Sequence, residues 1–166
     1  MKKEATLILN HTQIEHKIRR IAFQIYENNI DEDEIFLAGI ANSGYLFAQK
    51  LKDCLEDISP IKINLCEVRV NKKEPLNKVT TSLSEDLYTN KSIVMVDDVL
   101  NSGATLIYGI KYFLNVPLKK LQTAVLVDRS HKRFPIKADF KGISLSTSLS
   151  ENVKVSLGKE YKAELL

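Results

Sequence analysis

The chain has 166 residues and a formal net charge of +3, with 44% hydrophobic and 27% charged residues. That composition suits one ordinary soluble domain with a real core, and the small positive excess suits an anionic ligand without requiring one. It holds no apolar run of about 18 residues, no signal-like apolar segment at its start, and in Cys54 and Cys66 neither a C-x-x-C pair nor a disulfide framework. A single cytoplasmic domain over residues 1–166, away from the membrane, is expected.

Thr12 followed by Glu15 reads as a capping box. Ile14, Ile18, Ile21, Ala22 and Ile25 then recur at helical spacing and predict a helix over about 13–28, with Lys17, Arg19 and Arg20 facing solvent. The acidic run 31–34 is expected to be a solvated linker. Residues 35–38 read as a strand, 39–44 as a Gly-x-x-x-x-Gly loop, and 45–55 as a helix built on Phe47, Leu51 and Leu55. The loop lacks the Lys-Ser/Thr of a P-loop, which removes an ATPase of that class. Its backbone N–H groups at Asn42, Ser43 and Gly44 still suit an anion.

Residues 61–70 are strand-like. Residues 71–90 have no sustained period and carry Lys72, Lys73 and Lys78, the pattern of a lid. The centre of the sequence is 92–108, SIVMVDDVLNSGATLIY. The apolar run from Ile93 to Val96 predicts a buried strand. Asp97 and Asp98 follow it, then the small-residue loop Asn101, Ser102, Gly103, Ala104 and Thr105, then a helix on Leu106, Ile110 and Phe113. Acids at the carboxyl end of a strand, beside a loop that opens a helix, are where an open α/β sheet binds its ligand. Helix N-terminal amides attract phosphate, and the two acids suit sugar hydroxyls or a hydrated Mg²⁺. A Walker B reading fails for want of a Walker A, and simple helix capping does not require two adjacent acids.

Residues 122–127 predict a further strand, ending in Asp128, Arg129, Ser130, His131, Lys132 and Arg133. Residues 143–145 and 153–157 read as short closing strands. The order of elements predicts an α/β fold: a single domain with a mainly parallel central sheet flanked by helices.

Residues 92–108 resemble the ribose-phosphate signature of the type I phosphoribosyltransferases: an apolar strand, Asp-Asp, and a Ser-Gly-x-Thr loop. Residues 124–155 resemble the C-terminal segment of the PyrR-type branch, through the phrases LVDR-x-H, P-I-x-A-D and S-E-x-V-K-V. PyrR-type proteins are pyrimidine-operon attenuation regulators that also act as uracil phosphoribosyltransferases. The resemblance implies a fold with a flexible lid at about 71–90 and a base-pocket hood at about 128–158. It implies transfer of a 5-phosphoribosyl group from phosphoribosyl pyrophosphate (PRPP) to a nucleobase, most naturally uracil, giving a nucleotide and pyrophosphate. Asp97 and Asp98 would meet the ribose hydroxyls, and Lys72 would bring charge to the leaving pyrophosphate. Residues 101–105 would hold the 5′-phosphate, and Asn42, Ser43 and Gly44 the pyrophosphate. Asp128, Arg129 and Ser130 would shape the base pocket, and His131, Lys132 and Arg133 an RNA face. Mg²⁺ would arrive mainly on PRPP, with Asp97 as the protein's own candidate ligand. A homo-oligomer, dimer or larger, is also implied.

The sequence departs from the family pattern in places. Asn42-Ser43 stands where a basic residue is usual, Asn71-Lys72 where the regulators carry Tyr-Arg, Ala104 where they carry Arg, and Leu149 where an Arg occupies their Thr-Ser-Arg-Ser-Glu phrase. The departures at Asn42-Ser43 and Asn71-Lys72 keep a second expectation open, a catalytically weak, nucleotide-sensing regulatory module with RNA as a candidate partner, whereas Leu149 removes one phosphate contact from the RNA face.

Overall fold

The structure, a computed structural model, describes residues 4–71, 73–74, 76 and 78–166. In chain order its elements are β1 (Thr6–Leu9), α1 (His11–Asn28), β2 (Glu34–Ile40), α2 (Ser43–Ile58), β3 (Lys62–Arg69) and β4 (Thr80–Thr81). They continue with α3 (Glu85–Tyr88), β5 (Ser92–Leu100), α4 (Ala104–Phe113), β6 (Lys120–Asp128), β7 (Phe140–Ser144), β8 (Val153–Leu157) and β9 (Tyr161–Leu165). Six strands form the central sheet in the order β4-β3-β2-β5-β6-β7, parallel except where β4 pairs with β3. A second, antiparallel sheet, β1-β9-β8, is not hydrogen-bonded to it but shares a core with it through Leu9, Val155, Leu157 and Ala163. The fold is thus α/β with a mainly parallel sheet, as the pattern of elements predicts.

Alternation along the middle strands builds two cores, one per face of the sheet. Ile35, Leu37, Val94 and Val96 pack with Ile14, Ile21, Phe47 and Leu51 from α1 and α2. Phe36, Ala38, Ile93 and Met95 pack with Tyr88, Leu106 and Phe113 from α3 and α4. With both faces covered, every residue of β5 is buried, which is why its stretch Ile93 to Val96 reads as an unbroken apolar run.

The structure corrects several local expectations. The capping box is Asn10–Gln13 rather than Thr12–Glu15: Asn10 Oδ1 accepts from Gln13 N and Gln13 Oε1 from Asn10 N, both at 2.9 Å. β1 ends at Leu9, so the chain must turn at Asn10, and asparagine caps as well as threonine does. Arg20 does not merely face solvent. It donates to the carbonyls of Lys141 (2.8 Å) and Gly142 (2.6 Å), fastening α1 to β7, the edge of the sheet. The segment 71–90 carries β4 and α3, and Tyr88 is fully buried with its ring 5.0 Å from that of Phe113. The second half of that stretch therefore belongs to the body of the domain. Residues 143–145, expected as a closing strand, fall largely within β7 and pair with β6 in the main sheet. Burial raises both thiols, Cys66 to about 11, so neither is poised as a nucleophile.

Two acids of the run 31–34 also find partners. Glu32 pairs with Lys119 at 2.7 Å, and Glu34 with Lys91 at 2.7 Å and Lys62 at 3.9 Å. These pairs gather at the N-terminal ends of the parallel strands, the pole opposite the one where ligands bind in such sheets. Hydrogen bonds from Lys91 and Asn64 hold the Glu34 carboxyl below its ordinary 4.5. A lowered acid stabilises the fold above its unfolded value and loses that effect as pH falls through its folded value. Glu34→Gln is therefore expected to melt at a lower temperature than the parent at pH 7, with the gap closing as pH drops below 4.5. A gap independent of pH would show that the pairing is not ionic.

Candidate active site at the carboxyl ends of β2 and β5

Beyond β2 the chain moves outward to β3, whereas β5 lies on the other side of β2. α2 and α4 leave their strands for opposite cores. A crevice therefore opens where β2 and β5 end, the topological switch point of the sheet. After β2, Ala41 N donates to Val68 O at 2.9 Å, the Ala41–Asn42 peptide is cis, and α2 begins at Ser43. The expected loop is thus short. Asn42 makes no side-chain cap, so the first amides of α2 have no side-chain acceptor there, the arrangement that attracts anions. Gly44 seats this helix end on β5: a Cβ there would lie 2.8 Å from Asp97 Oδ1, 2.9 Å from Asp97 Cα and 3.0 Å from Val96 O.

Asp97 and Asp98 lie within β5, not after it, and both are buried. Asp97 Oδ1 accepts from Asp98 N, and Asp98 Oδ1 from Val99 N, each at 2.9 Å. Asp97 shares a cleft of about 200 Å³ with Asn101, Ser102, Gly103, Ala104 and Thr105. Asn42, Ser43 and Gly44 stand beside it through the contact of Gly44 with Asp97. Gly103 has φ +84°, a conformation that favours glycine, and its missing side chain leaves room for Ile136, whose Cγ2 would be 2.3 Å from a Cβ. Ser102 O accepts from Arg133 N (2.8 Å) and Phe134 N (3.1 Å), so the turn after β6 props the loop from behind.

That turn is tied together internally. Asp128 is buried; its Oδ1 accepts from Ser130 N at 3.0 Å, and its Oδ2 lies 3.5 Å from Lys132 Nζ and 3.8 Å from Lys141 Nζ. Arg129 is buried as well. It donates through Nη1 to Asn101 Oδ1 (2.8 Å), through Nε to Thr147 Oγ1 (3.0 Å), and through Nη2 to the carbonyls of Ser148 (3.3 Å) and Glu151. His131 Nε2 contacts Thr147 Oγ1 at 3.0 Å, and Arg133 is exposed. Asp139 braces the far side, accepting from Thr123 N at 2.9 Å. Lys72 lies outside the described residues. Thr147, Glu151, Phe134 and Ile136 were not expected near the phosphate loop. Thr147, Glu151 and Ile136 fall within the motif phrases quoted above, whereas no signal marked Phe134.

A family model described as a phosphoribosyl transferase domain matches residues 4–158. The bifunctional protein PyrR of Fusobacterium nucleatum subsp. nucleatum is 34% identical over 173 aligned residues, covering 96% of this chain and 97% of that one. The bifunctional protein PyrR of Streptomyces coelicolor is also 34% identical, over 95% of this chain and 86% of that one. In fold the chain is similar to the hypoxanthine phosphoribosyltransferase of Trypanosoma cruzi, with a TM-score of 0.76 at 17% identity, covering 89% of this chain and 84% of that one. It is likewise similar to a hypoxanthine-guanine phosphoribosyltransferase of Bacillus anthracis, with a TM-score of 0.73 at 20% identity over 86% and 84% of the two chains. The strand, the acid pair, the loop at the switch point and these relatives converge: the chain belongs to the type I phosphoribosyltransferase family and, within it, is similar along nearly its whole length to the PyrR-type proteins.

Proposed function

We propose that the protein transfers the 5-phosphoribosyl group of PRPP to a nucleobase, uracil first among the candidates, releasing pyrophosphate. The observation that carries the reading is the cleft shared by Asp97 and residues 101–105, set against the uncapped start of α2. Asp97 and Asp98 orient the ribose hydroxyls, residues 101–105 take the 5′-phosphate, and Asn42, Ser43 and Gly44 face the pyrophosphate. Asp128, Arg129 and Ser130 frame the base pocket. Such a transfer passes through a cationic sugar and asks for positioning and charge stabilisation rather than covalent help.

No group of three or more His, Cys, Asp or Glu that could hold a metal occurs among the described residues. On this reading Mg²⁺ arrives on PRPP, since this ion keeps several waters and takes one or two carboxylates plus substrate phosphates. Asp97 is the residue that would meet it, and the ion would neutralise the departing pyrophosphate. Incubation with PRPP, Mg²⁺ and a panel of bases is expected to yield a nucleotide, fastest with uracil. No nucleotide with any base would sink the reading.

A second reading rests on the start of α2, where residues 41–46 include no Lys or Arg. It makes the protein a nucleotide sensor of slow turnover, working as a cytoplasmic homo-oligomer. A ligand of the native state raises its stability by mass action. Stabilisation by UMP without turnover would select this reading. RNA binding would be added to it only by a salt-steep affinity for RNA, for which Lys132 and Arg133 are the exposed cations of the His131, Lys132 and Arg133 group.

A further inference from the structure

Arg129 joins two regions that are far apart in sequence. One is the loop after β5, through Asn101; the other is the segment 147–151 leading into β8, through Thr147, Ser148 and Glu151. A guanidinium is donor-only, so the atom of the Asn101 amide that faces it is the oxygen. That orientation turns the two Nδ2 hydrogens away from Arg129, in a cleft that Asn101 lines. Segment 147–151 is also held at Thr147 by His131 Nε2, 3.0 Å from Oγ1, and internally by Ser148 N donating to Glu151 Oε2 at 2.7 Å, while Leu149 is 89% exposed. One rigid fork therefore links the orientation of a loop side chain to three acceptors on segment 147–151.

We propose that Arg129 is a positioning residue that couples occupancy of the cleft by a sugar phosphate to ordering of segment 147–151, by way of Asn101. The proposal rests on the reading of the cleft as a 5′-phosphate site. An anion that draws on the Asn101 amide hydrogens holds Oδ1 on Arg129, and the held guanidinium fixes Thr147 and the two carbonyls. By linkage, a fixed segment also favours the anion. The phosphate end of a substrate and the roof beside the base pocket then close as one unit.

The test is amide hydrogen exchange with and without ribose 5-phosphate, in the parent, Thr147→Val and Arg129→Lys. Thr147→Val removes the Nε acceptor while keeping the side chain's shape, at a half-buried site where folding should survive. In the parent, ribose 5-phosphate is expected to slow exchange across 101–105 and, by about fivefold or more, across 147–151. The second slowing should shrink in Thr147→Val and vanish in Arg129→Lys, while slowing at 101–105 persists at saturating ligand. No slowing at 101–105 in the parent would overturn the phosphate site and the coupling together. Slowing at 101–105 alone would overturn the coupling and leave the site standing. A purely structural Arg129 would speed basal exchange in the variants yet leave the ratio with and without ligand unchanged, and that result would also overturn the coupling.

Discussion

Gly44→Ala is expected to lower the thermal midpoint by roughly 3–10 °C and phosphoribosyl transfer by about a hundredfold. The added methyl would meet Asp97 Cα at 2.9 Å and Val96 O at 3.0 Å, backbone atoms of a buried central strand that cannot step aside. The helix end must move instead, and with it the amides beside the acid pair. A displacement on the scale of an ångström is enough to spoil a reacting geometry even where every functional group survives. Gly158→Ala is the internal control. A Cβ there meets nothing within 4 Å, so both activity and midpoint should stay near the parent's. Thermal melts and kcat/KM for the two variants decide the matter. A Gly44→Ala protein with parental values in both would mean that α2 does not need its close seat on β5.

Asp98→Asn and Asp97→Asn are each expected to cut kcat/KM for PRPP by about 10- to 100-fold, the worth of a hydrogen bond to a charged group, with little change in midpoint. The amide keeps the shape of the carboxylate and keeps an oxygen for the neighbouring N–H, so the acceptor bonds to Asp98 N and Val99 N can persist. What disappears is the negative charge toward sugar hydroxyls and a developing cation. The loss should therefore be seen in kinetics and ligand affinity, not in folding. Unchanged kinetics in both variants would remove the acid pair from the site.

Much of this site is legible in the sequence because burial writes itself as hydrophobic pattern. β5 shows as Ile93 to Val96, and α1 and α2 show through 3.6-residue spacing, since each has one or two faces in a core. The end of β5 is not legible for the same reason. Charge at Asp97 reads as the end of a strand, whereas the chain stays extended to Leu100 because Asp97 still pairs with Val125 and Leu100 with Asp128 on β6. Of the second sheet, β8 is legible as the closing strand 153–157, whereas β9 was missed although it carried a signal: Tyr161, Ala163 and Leu165 alternate with Lys162 and Glu164, the mark of a half-buried strand. β1 is four residues long and takes its identity from pairing with the far end of the chain. Arg129 is expected at the base pocket, but the partners it meets there are not legible. Its acceptors on Asn101 and Thr147 lie 28 and 18 residues away, and no local spacing encodes such a meeting.

The complete burial of β5 has a consequence for where the molecule yields first. Spontaneous local opening starts where few apolar contacts hold a segment and is rarest in a strand packed on both faces and paired on both sides. The floor that bears the acid pair is therefore the last part of the domain to come apart. The two-residue edge strand β4 and the exposed stretch around Leu149 are the first. Breathing at the rim can admit and discharge a bulky anion many times over while the spacing between the two acids and the start of α2 stays constant.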